Sequence, residues 1–568
     1  MTHETPLLFS VLAGVVLVLL LIGTAGAYWL TARSGAQVPK QIATQPTTAM
    51  FVSRQAAAMV TLLVNPERLE SFWLAETSPA NRRQLQAGLH QWQQSVFASS
   101  GLDYDRDLKT WLGDEVTFAL TTPDVNRDAA DGLQPGYLLV LVADDPELAQ
   151  ESLQSFWQRR ANARDLVFEQ FAGVQLIHAA NKKTAAGQPS LTSAIVGGRY
   201  VLFANYPKVM REALNDVQVS DLNLEHSFTY QQALEKLTGP KLGLVYVNLA
   251  QFGNWLADST IATASKIAAT ESGLEKPHYE AMAAALKPAR QGLLADTLLL
   301  TTTPNAQPVR GAMTNASPIL QFIPTNSRFA IASRDLPTTQ TQWQSQIASI
   351  WADDSPNRAE HNQLQQPWLR LQPQWELQFP DDALDWVTGE YALIQLPANG
   401  RSQSDWVFVA QQTAETKTSI EQLDQVAQQQ GISLGALSLD NQPISAWIKL
   451  KTEAAKPGLT SLRAEVAGVR TTIGDYELFA TSLEALEQAL AAQSATTSDI
   501  KDAIAQLQTP NQGYLYLNQE ALEQLLRSIR GLELPKTLVS SLRSAVISSY
   551  GTDEAGLRGA IWLHLDGA

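Results

Sequence analysis

Two stretches of the chain echo each other. Gly198-Arg-Tyr-Val-Leu-Phe-Ala204 continues to Ala213-Leu214, and Gly474-Asp-Tyr-Glu-Leu-Phe-Ala480 continues to Ala489-Leu490, 276 residues later. Seven of 17 ungapped positions are identical, where ordinary composition gives about one by chance. The echo extends along the chain. Pro46, Phe51 and Trp73 match Pro324, Phe329 and Trp351 at an offset of 278. Trp111 and Glu115 match Trp386 and Glu390 at 275. Gly243-Leu-Val-Tyr-Val-Asn248 matches Gly513-Tyr-Leu-Tyr-Leu-Asn518 at 270, and Arg310-Gly-Ala312 matches Arg558-Gly-Ala560 at 248. Matches in one order from end to end imply two copies of one unit. The period is far too long for a solenoid, whose repeats run roughly 20–50 residues.

The domain division follows: an anchor at 1–32, a linker at 33–48, copy 1 at 49–317 and copy 2 at 318–568. The offset drops by 22 between the last two matches, which predicts an insertion in copy 1 at about 257–287, an Ala/Ser/Thr-rich and helical-looking segment.

Residues 6–30 carry no charge, and Leu7–Ile22 is almost purely aliphatic. Helix of that length reaches roughly 37 Å, enough for a hydrocarbon core of about 30 Å. A single-pass transmembrane helix is the expectation, with Tyr28-Trp29 as an interfacial anchor. A cleaved signal peptide with Ala25-Gly-Ala27 at its cleavage site is the alternative; the absence of Lys or Arg before the run opposes it. Arg33, Lys40 and Arg54 follow the span, a charge bias that would put the bulk in the cytoplasm. Ser34–Thr48 reads as a flexible Pro/Gln/Thr/Ala tether.

Beyond it the pattern is α+β, with mainly antiparallel strand pairs separated by helices. Strands are predicted at Ala49–Ser53, Val116–Leu120, Tyr137–Ala143, Gly173–His178, Ser193–Val196, Tyr200–Ala204 and Leu242–Val247. Helices are predicted from Ser78-Pro79 to Gly101, from Asp145-Pro146 to Arg160, and at Tyr206–Asn215 and Phe228–Leu237.

Composition narrows the function. Of 568 residues 17% are charged, and the net charge of −15 disfavours nucleic acid, whose affinity comes from a Lys/Arg surplus. There is no Cys, which removes disulfides, thiolate nucleophiles and Cys-ligated metals. The seven His residues are scattered singly.

Gly431-Ile-Ser433-Leu-Gly435 matches the G-x-S-x-G of serine hydrolases, but a helix precedes it and Gly431 reads as the helix stop. Asp103-Tyr-Asp105-Arg-Asp107 has the opening of a calcium loop without the Gly and Glu that complete one. Asp107 alone is retained in copy 2, as Asp382, which suggests an N-cap. Asn248 and Asn518 also read as N-caps. Glu115 and Glu390 occupy equivalent positions and would form an acid/base pair only if they met across a cleft. Of the 14 Trp, Trp368 and Trp375 are the pair expected to be partly exposed. No catalytic, cofactor-binding or metal residue is assigned.

Trp29-Leu-Thr-Ala-Arg33, Ala49-Met-Phe-Val52, Leu62-Leu-Val-Asn-Pro66, Trp111-Leu-Gly113, Tyr476-Glu-Leu-Phe-Ala480 and Gly513–Asn518 recur in another setting. By these motifs the chain resembles a family of uncharacterised single-pass membrane proteins of cyanobacteria, one of the families defined as domains of unknown function. The resemblance implies a plasma or thylakoid membrane location with the bulk extracytoplasmic, in the periplasm or thylakoid lumen. It carries no catalytic residues. The expected function is therefore a membrane-tethered, non-enzymatic scaffold or assembly protein without cofactor, with other membrane or extracytoplasmic proteins as partners. The alternative is a hydrolase or ligand-binding protein with a cleft between the copies.

Overall fold

The computed structural model of the chain describes residues 45–65, 102–127, 134–160, 166–179, 190–256, 279–289, 292–301, 313, 317–337, 384–397, 404–439, 441–456, 459–493, 499–528 and 542–565. The apolar run at 6–30, most of the linker, the helix predicted at 78–101, and Trp368 and Trp375 lie outside them.

Twenty strands carry the described chain. They are β1 (Ala58–Leu62), β2 (Leu112–Thr122), β3 (Gly136–Ala143), β4 (Leu166–Phe171), β5 (Val174–Ala179), β6 (Thr192–Val196), β7 (Tyr200–Ala204), β8 (Gly243–Asn248), β9 (Tyr279–Ala289) and β10 (Gly292–Thr301). Then come β11 (Phe329–Arg334), β12 (Glu390–Gln395), β13 (Trp406–Gln411), β14 (Ile432–Leu439), β15 (Gln442–Lys456), β16 (Leu459–Ile473), β17 (Tyr476–Ala480), β18 (Gly513–Asn518), β19 (Leu542–Thr552) and β20 (Gly556–Leu565).

The described residues form two compact units. One holds β1–β10 and β20; the other holds β11–β18 and Ser544–Gly551 of β19. In the first, neighbouring strands run β4-β5-β6-β7-β3-β2-β1-β8-β9-β10-β20, every pair antiparallel. In the second the order is β14-β15-β16-β17-β13-β12-β11-β18-β19, again antiparallel throughout. The two units share one strand order.

The α+β expectation with a transmembrane helix is corrected on two counts. The fold is a mainly antiparallel sheet protein with few helices, because strands expected as separate pairs join into one continuous ladder in each unit. Among the described residues no helix is long and apolar enough to cross a membrane, so the single-pass localisation is not carried forward.

Alternation explains the layers. Successive strand residues face opposite sides, and in β7 Leu202 and Ala204 join one core while Val201 and Phe203 join another. The first core packs Met59, Leu138, Val140, Leu244 and Tyr246 against Val209, Met210 and Leu214 of the helix Pro207–Gln218 and Tyr230 of the helix Phe228–Lys236. The second packs Leu141, Val201 and Phe203 against Phe156 and Trp157 of the helix Pro146–Arg160. Each such side chain contributes about 1.5–3 kcal/mol when fully buried. In the other unit Tyr391, Leu393, Phe408 and Phe479 meet Ile420 and Ala427 of the helix Thr416–Gln429.

Two local expectations fail for identifiable reasons. The segment 257–287 is expected to be helical, yet its described part, from Tyr279, belongs to strand β9, sandwiched between β8 and β10. Ala281, Ala283 and Ala285 are buried in the core under the helices, where small side chains fit and packing overrides intrinsic propensity. Ala49–Ser53 is not a strand either: Thr48–Phe51 is a 3₁₀ turn. Measured between equivalent strands, the connection from Asn248 to Tyr279 exceeds that from Asn518 to Leu542 by seven residues.

Candidate functional site

Glu115 lies in β2 where the register with β3 shifts between Leu112 and Val116. It is 7% exposed. Its Oε1 accepts from the backbone N–H groups of Thr47 and Thr48 and from Thr48 Oγ1, each at 2.8 Å; Oε2 accepts from Thr47 Oγ1 at 2.7 Å. The carboxylate thus ties down the start of the 3₁₀ turn Thr48–Phe51. Since Thr48 donates to Glu115, the hydroxyls behind it fall into one direction: Thr61 to Thr117 at 2.6 Å and Thr117 to Thr48 at 2.5 Å.

Glu390 does the same work with different partners. It is 8% exposed, Oε1 accepts from Ser317 Oγ at 2.7 Å, and Oε2 accepts from Tyr476 Oη at 3.1 Å. Ser317 precedes the 3₁₀ turn Pro318–Phe322. Burial, and then the charge of Glu390, push the Tyr476 phenol up from its ordinary value. In both units the turn's phenylalanine leans on the tyrosine that begins the strand: Phe51 on Tyr200 at 5.2 Å and 59°, Phe322 on Tyr476 at 5.3 Å and 59°.

The strand register makes Phe322 the counterpart of Phe51. Ala58 pairs with Val247 and Phe329 pairs with Leu517, so Ala58 and Phe329 are equivalent. The same spacing carries Phe51 to Phe322, which corrects the match with Phe329 expected from sequence. Glu115 and Glu390 lie in different units, and each carboxylate is held by hydrogen bonds inside its own.

The Asp103–Asp107 run is also structural. Asp103 Oδ1 accepts from Arg106 N at 3.1 Å and caps the turn Tyr104–Leu108, so the cap is Asp103 rather than Asp107. Asp107 is buried and binds Arg106 Nε at 3.1 Å and Arg159 Nη2, while its Oδ2 accepts from Asp103 N at 3.0 Å. Its carbonyl accepts from Trp111 Nε1 at 2.7 Å and Ser152 Oγ at 3.1 Å. Among the described residues no group of three or more His, Asp or Glu is placed to hold a metal ion.

Gly431, with φ +85°, follows the helix Thr416–Gln429, and Ser433 stands exposed on β14. His564 lies on β20, in the other unit. Asn248 Oδ1 accepts from Gln251 N at 3.2 Å and Asn518 Oδ1 from Ala521 N at 3.0 Å, so both cap the helices that follow.

Two buried acids escaped sequence reasoning. Glu477 sits in β17 where β7 has Val201; its Oε1 accepts from Gln412 Nε2 and Thr472 Oγ1, both at 2.7 Å, while its buried Oε2 has no partner among the described residues. The aligned echo itself, Val201 against Glu477, held that signal. Asp216 is buried near the end of the helix Pro207–Gln218, and burial, with Glu212 nearby, pushes its carboxyl up to about 7.

The surface carries large apolar side chains. Phe118 is 45% exposed and stacks on Tyr137 at 5.6 Å and 26°. Phe168 and Phe228 are exposed as well. At the positions equivalent to Phe118 and Tyr137, the other unit has Leu393 and Trp406, both buried. An open aromatic stack can seat an apolar group from a partner.

Residues 12–565 match the model of a family described as "Protein of unknown function (DUF3352)". No curated protein matches the chain. Among solved structures, crystal form I of TP0453 is similar over 46% of this chain and 81% of that one, at 11% identity and a TM-score of 0.24. Crystal form IV of TP0453 gives 45%, 81%, 10% and 0.22. At those TM-scores the likeness carries no argument about fold or function.

Proposed function

We propose, for a chain that belongs to the DUF3352 family of unknown function, that it acts by binding another protein, as a scaffold or assembly factor built from two copies of one sheet unit. The observation that carries this reading is the Phe118–Tyr137 stack. Copies of one unit begin alike, and a position where one exposes Phe118 on a half-buried Tyr137 while the other buries Leu393 and Trp406 is where a distinct role is supported. Exposed aromatics supply large contact area at small entropic cost and recur as interface anchors.

The test is photo-crosslinking from position 137, beside Phe118 in the stack, in the intact cell, followed by mass spectrometry, beside the same experiment with Phe118→Ser. The expected result is one partner, captured reproducibly and lost with the substitution. Capture that is absent, or that Phe118→Ser leaves unchanged, sinks the proposal.

A further inference from the structure

The two units differ at the strands that begin their shared order, β4 and β14. Strand β4, Leu-Val-Phe-Glu-Gln-Phe, carries Glu169, bound by Arg211 Nε at 2.8 Å and Nη2 at 2.9 Å. A charged pair on an edge strand is a standard guard against unwanted pairing, because a second strand would have to desolvate it. Its counterpart β14 has no such guard. Ile432-Ser-Leu-Gly-Ala-Leu-Ser-Leu439 holds no charge and no proline.

Among the described residues β14 pairs with β15 alone. Leu434 and Ala436 are exposed on one face, and Ser433 and Leu437 on the other; the two leucines are 41% and 39% accessible. From Ser433 to Ser438 both faces therefore carry exposed residues, and among the described residues the outer edge is unpaired. An edge strand must present every second N–H and C=O outward, and these groups take an extended backbone.

We propose that β14 is a self-association edge, which pairs antiparallel with β14 of a second copy of this chain. Three observations choose that occupant. Antiparallel self-pairing brings residues near the middle of a strand close to their own copies; β14 carries no charge to repel there, whereas β4 would bring Glu169 near Glu169. The chain as a whole carries −15, so a neutral segment is a place where two copies approach with little local repulsion. The chain also already joins strands this way, since β10 and β20, which hold corresponding places in the sequence of strands, pair antiparallel over Gly292–Leu300.

The test uses the full chain with Ala436→Lys and Ala436→Glu, alone and mixed. Position 436 is exposed, so each variant keeps the thermal melt of the unsubstituted protein, which serves as the folding control. Sedimentation equilibrium is expected to give a mass approaching twice 62.0 kDa at about 50 µM. Each variant alone weakens the association at least tenfold, and the equimolar Lys/Glu mixture restores it. A protein that stays monomeric at that concentration overturns the proposal. So does a dimer unmoved by Ala436→Lys, which would place the interface elsewhere, or a mixture that fails to recover.

Discussion

Tyr476 donates its hydroxyl to Glu390 at 3.1 Å, whereas Tyr200, its counterpart, reaches only Thr47 Oγ1 at 3.5 Å. One position in the shared fold thus carries a hydrogen bond to a buried carboxylate in one unit and a marginal contact in the other. Tyr476→Phe leaves Glu390 Oε2 without its donor and is expected to cost about 1.5–3 kcal/mol. Tyr200→Phe is expected to cost under about 0.5 kcal/mol. Urea denaturation of both variants measures the difference, and equal costs would contradict the geometry.

Glu115 is the acceptor for four donors, two of them backbone N–H groups. Glu115→Ala strands the two donors of buried Thr48, while those of exposed Thr47 can turn to water, and is expected to destabilise the first unit by about 2–3 kcal/mol. Hydrogen exchange should show the loss first at Thr47 and Thr48, before any change in the strands.

Asp216 predicts a pH effect with a definite sign. Its folded-state pKa is raised from 3.8 to about 7, so ionisation costs the folded state more than the unfolded one. Nothing is lost below about pH 4; the penalty grows between about pH 4 and 7 and is complete above. Asp216→Asn removes the ionisation, and the variant is expected to gain roughly 2–4 kcal/mol over the native chain at pH 8 and almost nothing at pH 4. Unfolding midpoints at the two pH values read this directly.

Gly292 and Gly556 mark the two ends of the β10–β20 pairing, opposite His564 and Leu300. A Cβ on Gly556 would collide with the Leu299 carbonyl, and one on Gly292 with the Leu563 carbonyl. The φ of Gly556, +148°, adds backbone strain for any other residue. Alanine at either position is expected to cost about 2–4 kcal/mol, with Gly556→Ala the worse. Thermal melting of the two variants tests both the size and the order.

Several parts of this arrangement were legible in the sequence, for physical reasons that can be named. The echo at Gly198 and Gly474 reports a turn, a strand and a helix whose core residues are shared, and β7 and β17 hold the same place in their units. Asn248, Asn518 and Gly431 act at helix ends, where local chemistry decides the outcome. Strand β9 was not legible, since its alanines favour helix and only burial between β8 and β10 makes them strand. The roles of Glu115 and Glu390 depend on Thr47, Thr48, Ser317 and Tyr476, residues 67 to 86 positions away in the chain that no local pattern connects. The pairing of Phe51 with Phe329 misled because three isolated matches at one offset are weak when connections differ in length.

The return of β20 to β10 sets an order on the making of the protein. Synthesis delivers β10, which ends at Thr301, long before β20, which begins at Gly556. Throughout that interval the older half of the chain waits with one side of a buried strand unmatched, exposed to any extended segment nearby. Residues 556–565, made long after β1 to β10, therefore seal the first unit. A chain that stops short of Gly556 is injured at the part made earliest, and quality control that watches for bare strands would find the fault there.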